Sequence, residues 1–481
     1  MKRNWVKGLA VACIVVLAAT VFAACGSKEE PKQQAGQQEE QQKKADGNKD
    51  VGNNEATGKI GDEKQFANKE LNIAVFEGGF GKAYWEEIVK RFEADYPGVK
   101  VNMTSNPKIM DVIKPQLVAG NPPDFIYVPL SDNSKTIDAM IRDKALLDMT
   151  DVFESKALDK DVLLKDVMID GILDYAKPHD DGKIYYAPFN LATLGIWYNQ
   201  ALFESKGWEV PATWDQFFAL GETAKQENRS LFTYQGIYPS YNEIIAIPSI
   251  ASAGGMDAIK NVMNYEENAF KSDAVKKTFD VFNTIAQKGY LMPGTVALNH
   301  AQAQTEFLKG KALFIPNGNW FESEMKDAPR EEGFKFGFMA PPVFQEGDQR
   351  YAYTSFDGLF IPLKAKNPEL AKAFIKYQFK DDSVKLNAEK SSGIAAVKNG
   401  AEMAKPFVPE SVYNSVKVFD NGVKPILFQW KVTPKTEIVI NDEVYNPINN
   451  IMNKKMTVDE WINRADKAST KLRELIEKSK S

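Results

Sequence analysis

One stretch restricts the possible folds of this chain more than any other: Gly182–Phe203, GKIYYAPFNLATLGIWYNQALF. It follows the turn Asp180-Asp181-Gly182, runs on as β-rich sequence, breaks at Pro188-Phe189-Asn190 and resumes to Trp197-Tyr198-Asn199. Proline cannot donate to a strand ladder and is confined to edges, strand starts and bulges. A strand interrupted in this way, with aromatics on both sides, suits a chain that passes from one sheet to another. It also leaves Asn190 as a polar side chain at the crossing. The stretch therefore reads as a hinge between two lobes. The length, 481 residues, exceeds one ordinary domain, and a composition 43% hydrophobic and 11% aromatic is ample for two cores.

The N-terminus is a separate matter. Lys2, Arg3 and Lys7 precede an apolar run, Gly8–Phe22, too short to span a bilayer comfortably. The run ends in Val21-Phe22-Ala23-Ala24-Cys25-Gly26, which resembles a bacterial lipobox. The expectation is a lipoprotein signal peptide, 1–24, removed before Cys25, whose thiol then takes the lipid. Of the two cysteines, Cys13 lies in the signal, so no disulfide and no cysteine metal site is expected in the mature chain. Removing the leader takes three positive charges from a net of −5, and an acidic body gives no reason to expect nucleic-acid binding. Residues 26–69 are rich in Gln, Glu, Lys and Asn and carry no aromatic before Phe66. Such a segment cannot bury enough apolar area to offset its ordering entropy. Residues 25–69 therefore read as a disordered tether from an anchor on the outer face of the cell membrane.

The body begins with a strand, Glu70–Phe76, then the turn Glu77-Gly78-Gly79-Phe80-Gly81. A helix follows with Trp85, Ile88, Val89, Phe92 and Tyr96 at 3/4 spacing, stopped by Pro97-Gly98. Val99–Met103 is a strand, 109–119 a helix kinked or split at Pro115, and Asp124–Val128 a short strand. This alternation predicts an α/β fold with mostly parallel sheets, in which ligands sit beyond the carboxyl ends of strands. Thr213-Trp214-Asp215-Gln216 is a capping box, Asn367-Pro368-Glu369 another helix start, and Thr457–Glu460 the cap of a last amphipathic helix.

Catalytic motifs are missing. The two histidines, His179 and His300, are isolated, and there is no metalloprotease, nucleophile-elbow, phosphate-loop or dinucleotide signature. No cofactor or metal is expected. Strand-end loops instead put aromatics beside amides, acids and glycine: Glu77, Gly79 and Phe80; Tyr127; Tyr238 and Tyr241; Asn319 and Trp320; Phe356 and Asp357; and Trp430, with Asn190 at the crossing. Sugars call for this combination, since their C–H faces pack on aromatic rings and their hydroxyls need directional partners. Trp320 is the strongest of these, lying among loop glycine and two amides. Trp85, Trp214 and Trp461 sit on amphipathic faces and read as core, as do Trp197 and Tyr198.

The run Tyr185-Tyr186-Ala187-Pro188, Trp197–Glu204, Gly207 and Pro211–Asp215 resembles the signature of the extracellular solute-binding proteins, family 1, the sugar-binding components of ABC importers. Phe307, Gly310-Lys311-Ala312 and Gly318-Asn319-Trp320 are similar to its second signature, and Asn121–Phe125 and Ala253-Gly254-Gly255 also match. The resemblance runs from about residue 70 to the C-terminus and looks most like binders of N-acetylglucosamine or chitobiose. Pro115 and the proline-broken YQGIYPSY, 234–241, depart from the pattern and leave ligand size open. The resemblance implies a two-lobed periplasmic-binding-protein-like fold of type II. Lobe 1 would comprise 70–188 and 305–354, and lobe 2 would comprise 189–304 and 355–481. It further implies a monomer that binds a sugar or short oligosaccharide in the interlobe cleft and meets the permease subunits of an ABC transporter. A surface glycoside hydrolase and a receptor for a non-sugar polar solute remain open at this point.

Overall fold

The computed structural model describes residues 66–130 and 135–480. The leader, the expected lipidation at Cys25 and the tether up to residue 65 lie outside the described residues. The end of that tether is part of the body: the Phe66 and Tyr96 rings lie 6.1 Å apart, and Lys69 Nζ donates to the Pro97 carbonyl at 3.2 Å.

The strands are β1 (Glu70–Phe76), β2 (Lys100–Asn106), β3 (Phe125–Pro129), β4 (Ala187–Asn199), β5 (Ser230–Phe232), β6 (Ala312–Gly318), β7 (Phe336–Met339), β8 (Tyr351–Phe360) and β9 (Lys424–Leu427). They are hydrogen-bonded in the order β2-β1-β3-β8-β4-β6-β5, with β7 on β4 and β9 on β8. The outer pairs β1–β2, β1–β3 and β5–β6 are parallel, as the alternation of strand and helix predicts. The long strands β4 and β8 are antiparallel to each other and to β6 and β3, which makes the whole a mixed α/β sheet.

β4 is where the sheet changes hands. All 13 of its residues are buried. It pairs with β8 at Ala187 and Pro188, slips register, and pairs again from Leu191 to Leu194. Proline falls where the ladder is already broken, so its missing N–H removes no bond the fold needs. Side chains up to Leu191 pack in one core, and those of Ala192, Leu194, Ile196 and Tyr198 in another, while Trp197 packs in a smaller cluster with Phe307 and Phe321. β8 makes the reverse change, with Tyr353 in the second core and Phe356 in the first.

The first core draws on 71–191 and 356–397, the second on 192–353 and 426–476. Residues 305–354, expected in lobe 1, lie with the second core, since β6 pairs with the far half of β4 and with β5. Residues 356–397, expected in lobe 2, lie with the first, because the far half of β8 pairs with β3. Hydrophobic pattern marks a strand as buried but carries no information on its partner.

Local expectations hold at the capping boxes of Thr213 and Thr457. Pro115 does not split its helix, which runs Ile109–Val118. Asn367 does not cap with its side chain; its Nδ2 donates to the carbonyls of Asn68 and Glu70, pinning that helix to the start of β1. The helix Glu243–Met263 bends at Gly255, whose φ of 76° and ψ of 177° suit glycine alone.

Candidate functional site

Trp320 joins the two halves. β6 ends at Gly318, and the next residue is strapped to the crossing: Asn319 N donates to the Thr193 carbonyl at 3.1 Å and Asn319 Nδ2 to the Leu191 carbonyl at 3.3 Å. The half-buried Trp320 packs against the second core. Its indole lies so close over Gly318 that an added Cβ there would come within 2.1 Å of the ring. The same indole meets Gly79, beyond β1 of the first half, where a Cβ would sit 2.7 Å from Cδ1. Phe80 presents its ring edge-on at 6.2 Å and 76°. Of the expected residues, Gly79, Phe80, Asn319 and Trp320 are thus brought together. Glu77 stands at the same strand end, its Oε2 accepting from Ser105 Oγ at 2.9 Å. A second bridge between the halves is the exposed pair Lys135–Asp442, at 3.4 Å.

Tyr127, Asn190 and Asp357 are also brought together, but in an enclosed knot between the crossing strands. Tyr127 Oη donates to Asp357 Oδ2 at 2.5 Å and accepts from Asn190 Nδ2 at 3.1 Å, and Asn387 Nδ2 donates to Asn190 Oδ1 at 2.6 Å. Burial pushes the Asp357 carboxyl up to about 6, against the opposing pull of the Tyr127 and Asn190 hydrogen bonds. Burial, with the Asp357 charge behind it, holds the Tyr127 phenol well above its ordinary range. Tyr127 and Asn190 are 1% and 2% exposed, so in this conformation neither faces a cleft. Phe356 is buried against Tyr186 in the first core. Trp430 stacks on Tyr265 at 5.6 Å and donates Nε1 to Asn441 Oδ1 at 2.6 Å, on the margin of the second core. Tyr238 and Tyr241 flank His300, one stacked at 4.2 Å and one edge-on at 4.9 Å. Burial pushes His300 down to about 4, so the imidazole is neutral.

The structure adds residues that the sequence reading passed over. Glu243 opens its helix half-buried, and its carboxyl has no hydrogen bond or ion pair to the described residues. Burial holds the phenols of Tyr241, Tyr353 and Tyr445 high, and Glu243 adds to this only when it is ionised. Nearby in the chain and along β6, buried polar atoms go unpaired: Asn242 Oδ1, Asn317 Nδ2, Asn319 Oδ1, Gln235 Oε1 and Gln304 Oε1. Each such atom left without a partner costs about 1–3 kcal/mol. Asn317 and Asn319 lie at the end of β6, and Gln235 is held to the same strand by its Nε2 on the Pro316 carbonyl. An acid in a first helical turn ordinarily complements the helix dipole, and nothing in the sequence sets Glu243 apart from that role.

Two cavities lie away from these groups, about 510 Å³ beside Arg350 and about 480 Å³ beside Arg229. Both arginines already have partners, Arg350 on the Ala340 and Pro341 carbonyls and Arg229 on Glu331 and the Gly310 carbonyl. What surrounds Trp320 is a ring face edged by Phe80 and followed along β6 by the buried amides of Asn317 and Asn319. That set suits holding a neutral polyhydroxylated molecule.

Comparison with known proteins agrees. The family model for bacterial extracellular solute-binding proteins matches residues 79–385. The chain is similar to the diacetylchitobiose binding protein NgcE of Streptomyces coelicolor, 26% identical over 353 residues, covering 73% of this chain and 72% of that protein. Among solved structures, it resembles the solute-binding protein RafE in complex with raffinose, with a TM-score of 0.66 at 20% identity, covering 84% of this chain and 100% of that one. It also resembles a chitin oligosaccharide binding protein, with a TM-score of 0.65 at 18% identity, covering 85% of this chain and 99% of that one. These structural likenesses are to proteins of the two-lobed type II fold.

Proposed function

We propose, on the premise that this chain belongs to the bacterial extracellular solute-binding proteins, that it captures a sugar between its two lobes and delivers it to an ABC importer. The observation that carries the reading is the Trp320 indole, cleared by Gly79 and Gly318 and edged by Phe80, beside a group of unpaired amides. An aromatic face takes the C–H side of a pyranose, while amides and phenols take its hydroxyls. The similarity to NgcE makes N-acetylglucosamine or its dimer the first ligands to try. The Gly79–Trp320 contact parts as the hinge opens and re-forms over the bound sugar, so that the permease meets a loaded, closed receptor. A lipid on Cys25 holds the protein at the membrane, and the body acts as a monomer.

The test is a calorimetric panel of N-acetylglucosamine, diacetylchitobiose, maltose, raffinose, and xylo- and manno-oligosaccharides. Tight one-to-one binding of at least one of them, with tryptophan fluorescence changing in step and no reducing ends released over hours, is the expected result. Silence across the panel would sink the sugar reading, and steady release of reducing ends would replace it with hydrolysis.

A further inference from the structure

We propose that the cavity of about 510 Å³ beside Arg350 is a second binding site, for a small carboxylate with a short apolar chain. It shares no residue with the Trp320 group, and the inference does not rest on the sugar-binding reading. The polar part of its lining is the turn before β8, Asp348-Gln349-Arg350, together with Gly422; the apolar part includes Val210, Phe338 and Val418. Backbone holds the Arg350 guanidinium in place: Nε donates to the Pro341 carbonyl at 3.0 Å, and Nη2 to the carbonyls of Ala340 and, at 3.5 Å, Pro211. Nη1 has no partner among the described residues, and no acid there forms an ion pair with Arg350. Asp348, in the same lining, instead accepts from the Gln345 N–H at 2.9 Å. Gln349 Nε2 donates to the carbonyls of Arg350 and Gly422, at 2.9 and 2.8 Å, which ties the turn to the segment that supplies Val418. Val210 is 39% exposed, an apolar side chain left uncovered in the lining.

Three carbonyls fix the plane of a guanidinium but leave its charge unmatched, and a desolvated charge is costly until it is paired. Burial pushes Arg350 down to about 10, so the side chain is strained as a cation yet still charged at neutral pH. A carboxylate supplies what is missing. Its oxygens accept from the unused Nη1 donors in charge-assisted bonds, about twice as strong as neutral ones. Inorganic phosphate would match the charge and leave Val210, Phe338 and Val418 uncovered, whereas a short alkyl chain removes their apolar surface from water. A cavity of this size is within the range that holds small molecules.

The experiment is a ligand-observed NMR titration of the full mature chain at neutral pH with sodium hexanoate, and with 1-hexanol, hexylamine and inorganic phosphate as matched probes. Hexanoate is expected to saturate one site, with each of the other three binding about tenfold or more weakly. Arg350→Gln should weaken hexanoate by about tenfold or more. Val210→Trp, which fills the apolar part and leaves the guanidinium contacts alone, should do the same, so the test survives if the arginine variant fails to fold. Circular dichroism reports which variants are folded. No hexanoate binding up to about 20 mM, hexanol or hexylamine binding as tightly as hexanoate, or wild-type affinity in folded Val210→Trp each overturns the inference.

Discussion

Trp320 and Asp357 are two side chains whose surroundings decide what they do. Trp320 has a face because two positions beside it lack a Cβ. Trp320→Ala is expected to weaken sugar binding at least tenfold, about 1.4 kcal/mol, measured on protein that circular dichroism shows to be folded. Unchanged affinity in the titration would move the site elsewhere. Asp357 is a stability question. Its folded-state value near 6 stands above the ordinary 3.8, so the folded protein holds that proton more tightly than the unfolded chain. The resulting penalty grows as pH rises from about 4 to 6 and is complete above 6. Asp357→Asn should therefore be more stable than wild type at pH 7.5 by about 1–3 kcal/mol, with the difference shrinking by pH 5. A gap in melting temperature that widens on acidification would contradict this.

At the scale of elements, the crossing of β4 and β8 is held by side chains as well as by the ladder. Where the register slips, Asn190 occupies Tyr127 on one side and Asn387 on the other. Asn190→Ala strands both and is expected to destabilise the protein by about 1–3 kcal/mol in urea titration; an unshifted midpoint would show that the knot is incidental. The hinge was legible in the sequence because proline in a buried β run admits few explanations. Trp320 was legible because glycine and amides surround it. The partners of β6 and β8 were not legible, since register is a property of pairs of strands. The inward turn of Tyr127 and Asn190 was not legible either: a polar residue at a strand end reads the same whether it meets solvent or another side chain. Glu243 stayed hidden because its neighbours Tyr353 and Tyr445 lie more than a hundred residues away along the chain.

For the whole molecule, binding and stability are coupled. A ligand that holds both halves stabilises the folded state by about 2.7 kcal/mol at a hundredfold excess over its dissociation constant. A sugar that binds by calorimetry should accordingly raise the melting temperature in proportion to the logarithm of its concentration. Trp320→Ala should lose most of that rise, and a ligand that binds without raising it would be seated outside the cleft. The two cores are drawn alternately from the chain, the first from 71–191 and 356–397, the second from 192–353 and 426–476. Neither lobe corresponds to one uninterrupted coding segment, and a nascent chain emerging N-terminus first cannot complete even its first core until residue 397 is free. A reporter inserted within 192–353 would divide the second core while lengthening the connection between the two segments of the first. The alternation that makes the hinge also makes the polypeptide commit late.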